Sequence, residues 1–161
     1  MADTSLSEKK PGLLVWQLSN LWQNKLRNIL KLNKLTLNEY LVLESIYELE
    51  NHITLLNQNF LSSFSGIDTS VVSVVLKLLE RKKFVKRTLD KDNRKKTIEM
   101  LSNGKKTFNE IYPLIILEEE RIFEKLQNEK INFINSLKLI LVYRRFSNTR
   151  ISLICLLEIL Y

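Results

Sequence analysis

The side chains in this sequence best suited to chemistry are cations, and they are concentrated. Residues 77–106 hold 12 Lys/Arg against 4 Asp/Glu, a local excess of +8, whereas the whole chain carries +7. The rest of the chain is therefore close to neutral. A concentrated positive charge suits a polyanion, because each phosphate neutralised by Lys or Arg releases counterions. Two groups stand out inside the segment. Lys77 and Arg81 lie one helical turn apart. Lys91, Asp92, Asn93, Arg94, Lys95 and Lys96 form a polar, turn-forming run. Arg is the residue best matched to the negative potential of a narrow minor groove, and Asp92, two residues away, is placed to hold Arg94 in one rotamer.

Catalytic chemistry is poorly supplied. The chain has one histidine, His52, one cysteine, Cys155, and three glycines. No phosphate-cradling glycine loop, nucleophile elbow or metal-ligand cluster is present. The run Glu118-Glu119-Glu120 reads as a solvated helical face, since neighbours on a helix point apart. The expectation is a binding protein, not an enzyme, with no metal and no cofactor.

The elements that must position these cations follow from periodicity and turn residues. Residues 13–32 carry Val15, Leu18, Trp22, Leu26 and Ile29 at helical spacing. Leu14, Leu21 and Leu30 widen that stripe beyond one packing face. Thr36 with Glu39 three residues on is a capping box for a helix to about Leu49. His52 and Ile53 form an extended link to Thr54, a candidate cap for a short helix through Phe64. Ser65-Gly66 is a turn, and Asp68 caps a helix over 69–82. Two helices joined by a glycine-containing turn make a helix-turn-helix candidate. Extended segments at 84–88 and 95–101 flank the polar run and make it the tip of a hairpin, the wing of a winged helix. A long helix follows from Ser102, with Pro113 expected to kink it, and a last helix begins after Asn128. The fold class expected is mainly α with a small β wing.

On the 69–82 helix, Ser70, Ser73, Val74, Lys77 and Arg81 share one face, and Val72, Val75, Leu76 and Leu79 the other. The apolar side must pack inward, which turns the polar side toward solvent, and a helix of this width fits the major groove of B-DNA. Thr69, Ser70 and Ser73 can address base edges or phosphates, Val74 a thymine methyl, and Lys77 and Arg81 phosphates. With Asp92, Arg94 and Lys95 of the wing, these nine residues form the expected DNA-binding set.

The order of elements resembles the multiple-antibiotic-resistance regulator (MarR) family. The residues that carry the resemblance are Asp68-Thr69-Ser70, Leu79-Glu80-Arg81-Lys82, Val85-Lys86-Arg87, Asp92-Asn93-Arg94 and Met100-Leu101-Ser102-Asn103-Gly104. The family's wing reads approximately Asp-x-Arg, a strand, then Leu-Thr-x-x-Gly. The resemblance implies a homodimer whose terminal helices intertwine. It implies binding to pseudo-palindromic operators, in the role of a repressor or activator. It also implies release by a small aromatic or lipophilic effector in a crevice where Trp16, Trp22 and Tyr40 are the candidate lining residues. The division that follows is a disordered N-terminus at 1–11, a dimerisation helix at 12–35 and a winged helix-turn-helix at 36–101. Dimerisation helices at 102–146 and an apolar tail at 147–161 complete it. Two positions depart from the family pattern: Val74 stands where many relatives have an Arg directed at DNA, and Lys83 where a Gly commonly ends the helix.

The single cysteine excludes an internal disulfide, and its apolar neighbourhood makes it a poor redox sensor. Residues 1–11 lack a signal-like apolar core, and the apolar end, residues 151–161, is shorter than the roughly 20 residues a membrane helix needs. A cytoplasmic protein is expected. The rival reading of the basic segment is a winged-helix interaction module that binds an acidic protein partner with little sequence-specific DNA binding.

Overall fold

The structure, a computed structural model, describes residues 10–148 except 54 and 90–95. Its elements are α1 (Pro11–Leu32), α2 (Leu37–Leu49), α3 (Gln58–Ser65), α4 (Thr69–Arg81), β1 (Val85–Leu89), β2 (Lys96–Met100) and α5 (Ser102–Phe123). A 3-10 segment (Glu124–Glu129) and α6 (Lys130–Asn148) follow. Two compact units meet in sequence at Ile122–Phe123.

Local chemistry accounts for most boundaries. Pro11 opens α1, where its missing N–H costs nothing. The Thr36–Glu39 capping box forms in both directions at α2. The cap of α3 is Asn57, whose Oδ1 accepts from the N–H groups of Asn59 (2.9 Å) and Phe60 (3.3 Å). The expected cap, Thr54, lies outside the described residues, and α3 starts later than periodicity suggested. Gly66 ends α3 at φ 72°, and the axis turns by 113° into α4, the angle of a helix-turn-helix pair. Asp68 Oδ1 accepts from the N–H of Ser70 at 2.8 Å to cap α4. Helix α5 runs on past Pro113, which sits at an exposed position, and the helical run breaks instead at Gln127 (φ 44°, ψ −121°).

The core of the first unit lies between α2, α4 and α5. Helix α4 buries Val72, Val75, Leu76 and Leu79, each stabilising by about 1.5–3 kcal/mol relative to exposure. Helix α2 contributes Tyr40, Val42, Leu43 and Ile46 to the same core. Phe108 of α5 packs against Tyr47 (centroids 4.7 Å) and Tyr112 (5.1 Å), with Tyr40 stacked at 6.0 Å. The hairpin is antiparallel, with Val85 opposite Met100 and Leu89 opposite Lys96. Val85, Ile98 and Met100 are buried. The N–H of Ile98 also donates to the Leu56 carbonyl (2.8 Å), so the link before α3 borders the sheet.

The turn from α4 into the wing resolves what Lys83 does in a glycine position. The N–H of Phe84 donates to the Leu79 carbonyl and that of Lys83 to Glu80, both at 2.9 Å, which is a Schellman ending with Lys83 at φ 56°. Helix α1 ends the same way, with Lys34 at φ 55°. Gly104, by contrast, is required by close approach: a Cβ there would press into the Phe84 carbonyl oxygen and lie 3.0 Å from Met100 Cγ. Lys83→Gly is therefore expected to raise stability by about 1 kcal/mol, the left-handed penalty of a non-glycine residue, read from the urea midpoint. Gly104→Ala is expected to lower it by about 1–3 kcal/mol through overpacking against backbone, in the same assay.

Candidate nucleic-acid interface

Helix α4 presents the surface that its buried face dictates. Ser70, Lys77 and Arg81 are exposed, Val74 is 56% exposed, and Ser73 is half-buried. Thr69 is half-buried and turned into the helix-turn-helix junction. Its hydroxyl donates to Ser62 Oγ (3.0 Å), and the Ser62 hydroxyl donates to the Ile67 carbonyl (2.7 Å). The Ser70 hydroxyl donates to Asp68 Oδ1 at 2.5 Å, leaving its oxygen lone pairs as acceptors. That hydroxyl and the backbone N–H of Ser70 hold the Asp68 carboxyl below its ordinary value. The cap is thus charged where a helix N-terminus favours negative charge.

Two ion pairs orient α4. Glu39 is buried, and its Oε2 accepts from the Thr36 N–H (2.8 Å) and the Thr36 hydroxyl (3.0 Å). Its Oε1 meets Lys82 Nζ at 2.6 Å, and the same ammonium donates to the Lys34 carbonyl at 2.8 Å. The C-terminal end of α4 is thereby tied to the start of α2. On the wing side, Arg87 of β1 makes a two-pronged contact with Glu80 of α4, Nε at 2.9 Å and Nη2 on the second oxygen. The Glu80 carboxylate raises the Arg87 guanidinium above its usual value. Lys86 pairs with Glu99 across the hairpin at 2.5 Å. The wing residues Asp92, Arg94 and Lys95 lie outside the described residues.

The three candidate effector residues do not share one environment. Trp16 is 63% exposed on α1. Trp22 is half-buried, and its indole N–H donates to Glu119 Oε1 at 2.7 Å. Tyr40 is a core residue whose hydroxyl donates to Glu44 Oε1 at 2.8 Å. Burial, then Glu44, raises the Tyr40 phenol well above its ordinary value. The Glu118–Glu120 run is not a uniformly solvated face as expected: Glu119 binds Trp22, and Glu118 pairs with Lys25 (3.4 Å) and Arg121 (3.3 Å). Only Glu120 is exposed. Periodicity could not reveal the Trp22 and Lys25 contacts, because both partners lie on α1, far away in sequence; Arg121 is a local partner three residues on.

Glu44 has its carboxyl raised by burial, opposed by the Tyr40 hydrogen bond and reinforced by Glu119 and Glu48. The folded state therefore holds this proton more tightly than the unfolded chain. Its contribution favours folding below the ordinary carboxylate value and is lost as pH rises through the raised one. Glu44→Gln is expected to flatten the stability profile over that window, measured as urea midpoints at several pH values. An unchanged profile would count against this linkage.

Comparison with known proteins agrees with this geometry. Residues 35–97 match the model of the MarR family. An uncharacterized HTH-type transcriptional regulator of Bacillus subtilis (strain 168), YdcH, is 28% identical over 129 residues, covering 80% of this chain and 87% of the relative. Among solved structures, MepR of S. aureus in complex with DNA superposes with a TM-score of 0.72 at 20% identity, covering 84% of this chain and 96% of that one. CouR of Rhodococcus jostii RHA1 bound to p-coumaroyl-CoA gives 0.75 at 22% identity, covering 93% and 100%. The matched segment covers the helix-turn-helix with most of its wing, and over that segment the chain is similar to the MarR family.

Proposed function

We propose that this chain is a homodimeric regulator that binds double-stranded, pseudo-palindromic operator DNA. Helix α4 enters the major groove, and the wing tip with Asp92, Arg94 and Lys95 enters the adjacent minor groove. The outward face of α4 carries this reading. It offers Lys77 and Arg81 beside two serines, and the acid on the helix, Glu80, is drawn aside by Arg87. Such a face fits a groove lined by phosphates. MepR, a structural neighbour, was solved with DNA.

Homodimerisation is supported by apolar surface that a lone chain leaves in water. Trp16 and Val15 on α1 are 63% and 58% exposed, and Ile131, Leu139 and Ile140 on α6 are 68%, 76% and 70% exposed. Exposed apolar surface on this scale marks an interaction face. Two-fold symmetry then sets the recognition helices about one DNA turn apart, roughly 34–36 Å. An effector that releases DNA has Trp22 and the neighbouring Glu44 and Glu119 to meet, so a neutral or cationic aromatic compound suits these residues better than an anion. The compartment expected for a DNA-binding regulator is the cytoplasm. Among the described residues no single helix is long and apolar enough to cross a membrane.

Titration with salt tests the central claim. Duplex binding should weaken steeply as salt rises, by about 0.9 of log–log slope per neutralised phosphate. Lys77→Ala with Arg81→Ala should reduce that slope by about two, and Arg94→Ala by about one more if the wing engages a phosphate-lined groove. Weak duplex binding, indifferent to sequence and unchanged in these variants, would instead leave an acidic protein as the partner.

A further inference from the structure

The outward face of α4 is unusual in what it lacks. From Thr69 to Lys77 it carries no Arg, Asn, Gln, Asp or Glu. Bidentate reading of guanine requires Arg or Lys at the base edge, and bidentate reading of adenine requires Asn or Gln. The cations on this helix both stand away from its N-terminal end, Lys77 about 12 Å and Arg81 about 18 Å of helix rise from Thr69. What the face does carry is an apolar stripe. Val71 is 37% exposed, Val74 56% and Leu78 37%. Their spacing of three and four residues aligns them along one side of the helix. Ser70 and Ser73 lie beside them with oxygen acceptors, and Lys77 and Arg81 flank the far end.

We infer that α4 recognises its operator chiefly through the C5-methyl groups of thymines in the major groove, with Val74 as the central contact and Val71 and Leu78 extending it. This rests on the DNA-binding reading above and specifies its substrate class: half-sites with thymine at the positions facing the stripe. Methyl-to-methyl burial is the one form of direct readout these side chains can supply, because they neither donate nor accept hydrogen bonds. The single-point hydroxyls of Ser70 and Ser73 tolerate several base edges, so they add little discrimination of their own. The flanking cations and the absence of an exposed acid between Thr69 and Lys77 favour a duplex over an acidic protein as the surface that covers the stripe.

Deoxyuridine isolates the effect, since it removes the thymine methyl and keeps every hydrogen-bonding group. Bound duplexes are first selected from a random pool with the full-length protein. Each thymine of the recovered half-site is then replaced singly by deoxyuridine, and Kd is measured by fluorescence anisotropy at one fixed salt concentration. At one or more positions affinity should fall about fourfold, the size of burying one methyl group. Val74→Ala should bind the parent site more weakly and lose the distinction between thymine and deoxyuridine at its position. Restoring the methyl as 5-methyl-deoxycytidine opposite guanine at that position should recover part of the affinity relative to deoxycytidine. Val74 is more than half exposed and alanine is the better helix former, so folding is not at risk. Selected sites in which every deoxyuridine is neutral would overturn the methyl reading and leave operator binding intact. Failure to recover any preferred duplex would overturn the regulator reading itself.

Discussion

The buried carboxylate of Glu39 is the constraint on which the placement of α4 rests. A carboxylate removed from water is tolerated only when its oxygens are fully engaged. Here one oxygen takes the backbone N–H and hydroxyl of Thr36, and the other takes the Lys82 ammonium. The first pair begins α2, and the second belongs to the residue that caps α4. Lys82 also reaches the Lys34 carbonyl, in the turn that ends α1. Three elements therefore converge on one side chain. The apolar faces of α2 and α4 supply most of the burial energy; the ion pair adds a directional tie between the start of α2 and the C-terminal end of α4.

The wing depends on a second set of backbone constraints. The Schellman ending of α4 fixes the direction in which the chain leaves the helix, and Lys83 accepts a left-handed conformation to make it. The Phe84 carbonyl then receives the N–H of Leu101 at 2.8 Å and leaves no room for a side chain at Gly104. The start of α5 is thus locked to the base of the hairpin. Glu80 and Arg87 complete the attachment from the side. The base of the hairpin is therefore attached to α4 through a two-pronged ion pair and to α5 through backbone.

Much of this was legible in the residues. The Thr36–Glu39 box, the Gly66 turn, the Asp68 cap and the two faces of α4 all announce themselves within four residues, because caps and periodicity are local. The Met100–Gly104 run carried the family resemblance, and the structure supplies the reason for its glycine, the close approach of the Phe84 carbonyl. What was hidden is long-range and polar. Nothing in sequence joins Trp22 to Glu119, Lys25 to Glu118 or Lys82 to Glu39. A charged residue on a helix looks the same whether water or a distant partner faces it. The start of α3 was misplaced because Thr54 and Asn57 are both competent cap types in sequence, and the helix starts after Asn57. Tyr40 illustrates the ambiguity of aromatics, since a lining residue and a core residue share one pattern.

In the proposed DNA complex, positioning and reading fall to different groups. Groups that hold a duplex need charge and reach rather than sequence preference, and Lys77 and Arg81 on α4 are the described cations suited to that role. Groups that read must be short, rigid and brought close to the base edges. Val71 and Val74 have stiff β-branched side chains that lose little entropy on contact. A long cation at position 74 would gain phosphate or guanine contacts but would hold the helix further from the groove floor. With valine there, the helix can approach until van der Waals contact stops it. Close approach in turn demands that α4 be held at a defined depth, and this depth is set by the Glu39–Lys82 pair and the buried face of α4 behind it. In the proposed complex, a valine at position 74 and the rigidity of the support beneath it therefore belong together: recognition by shape and methyl contact needs a helix that does not shift.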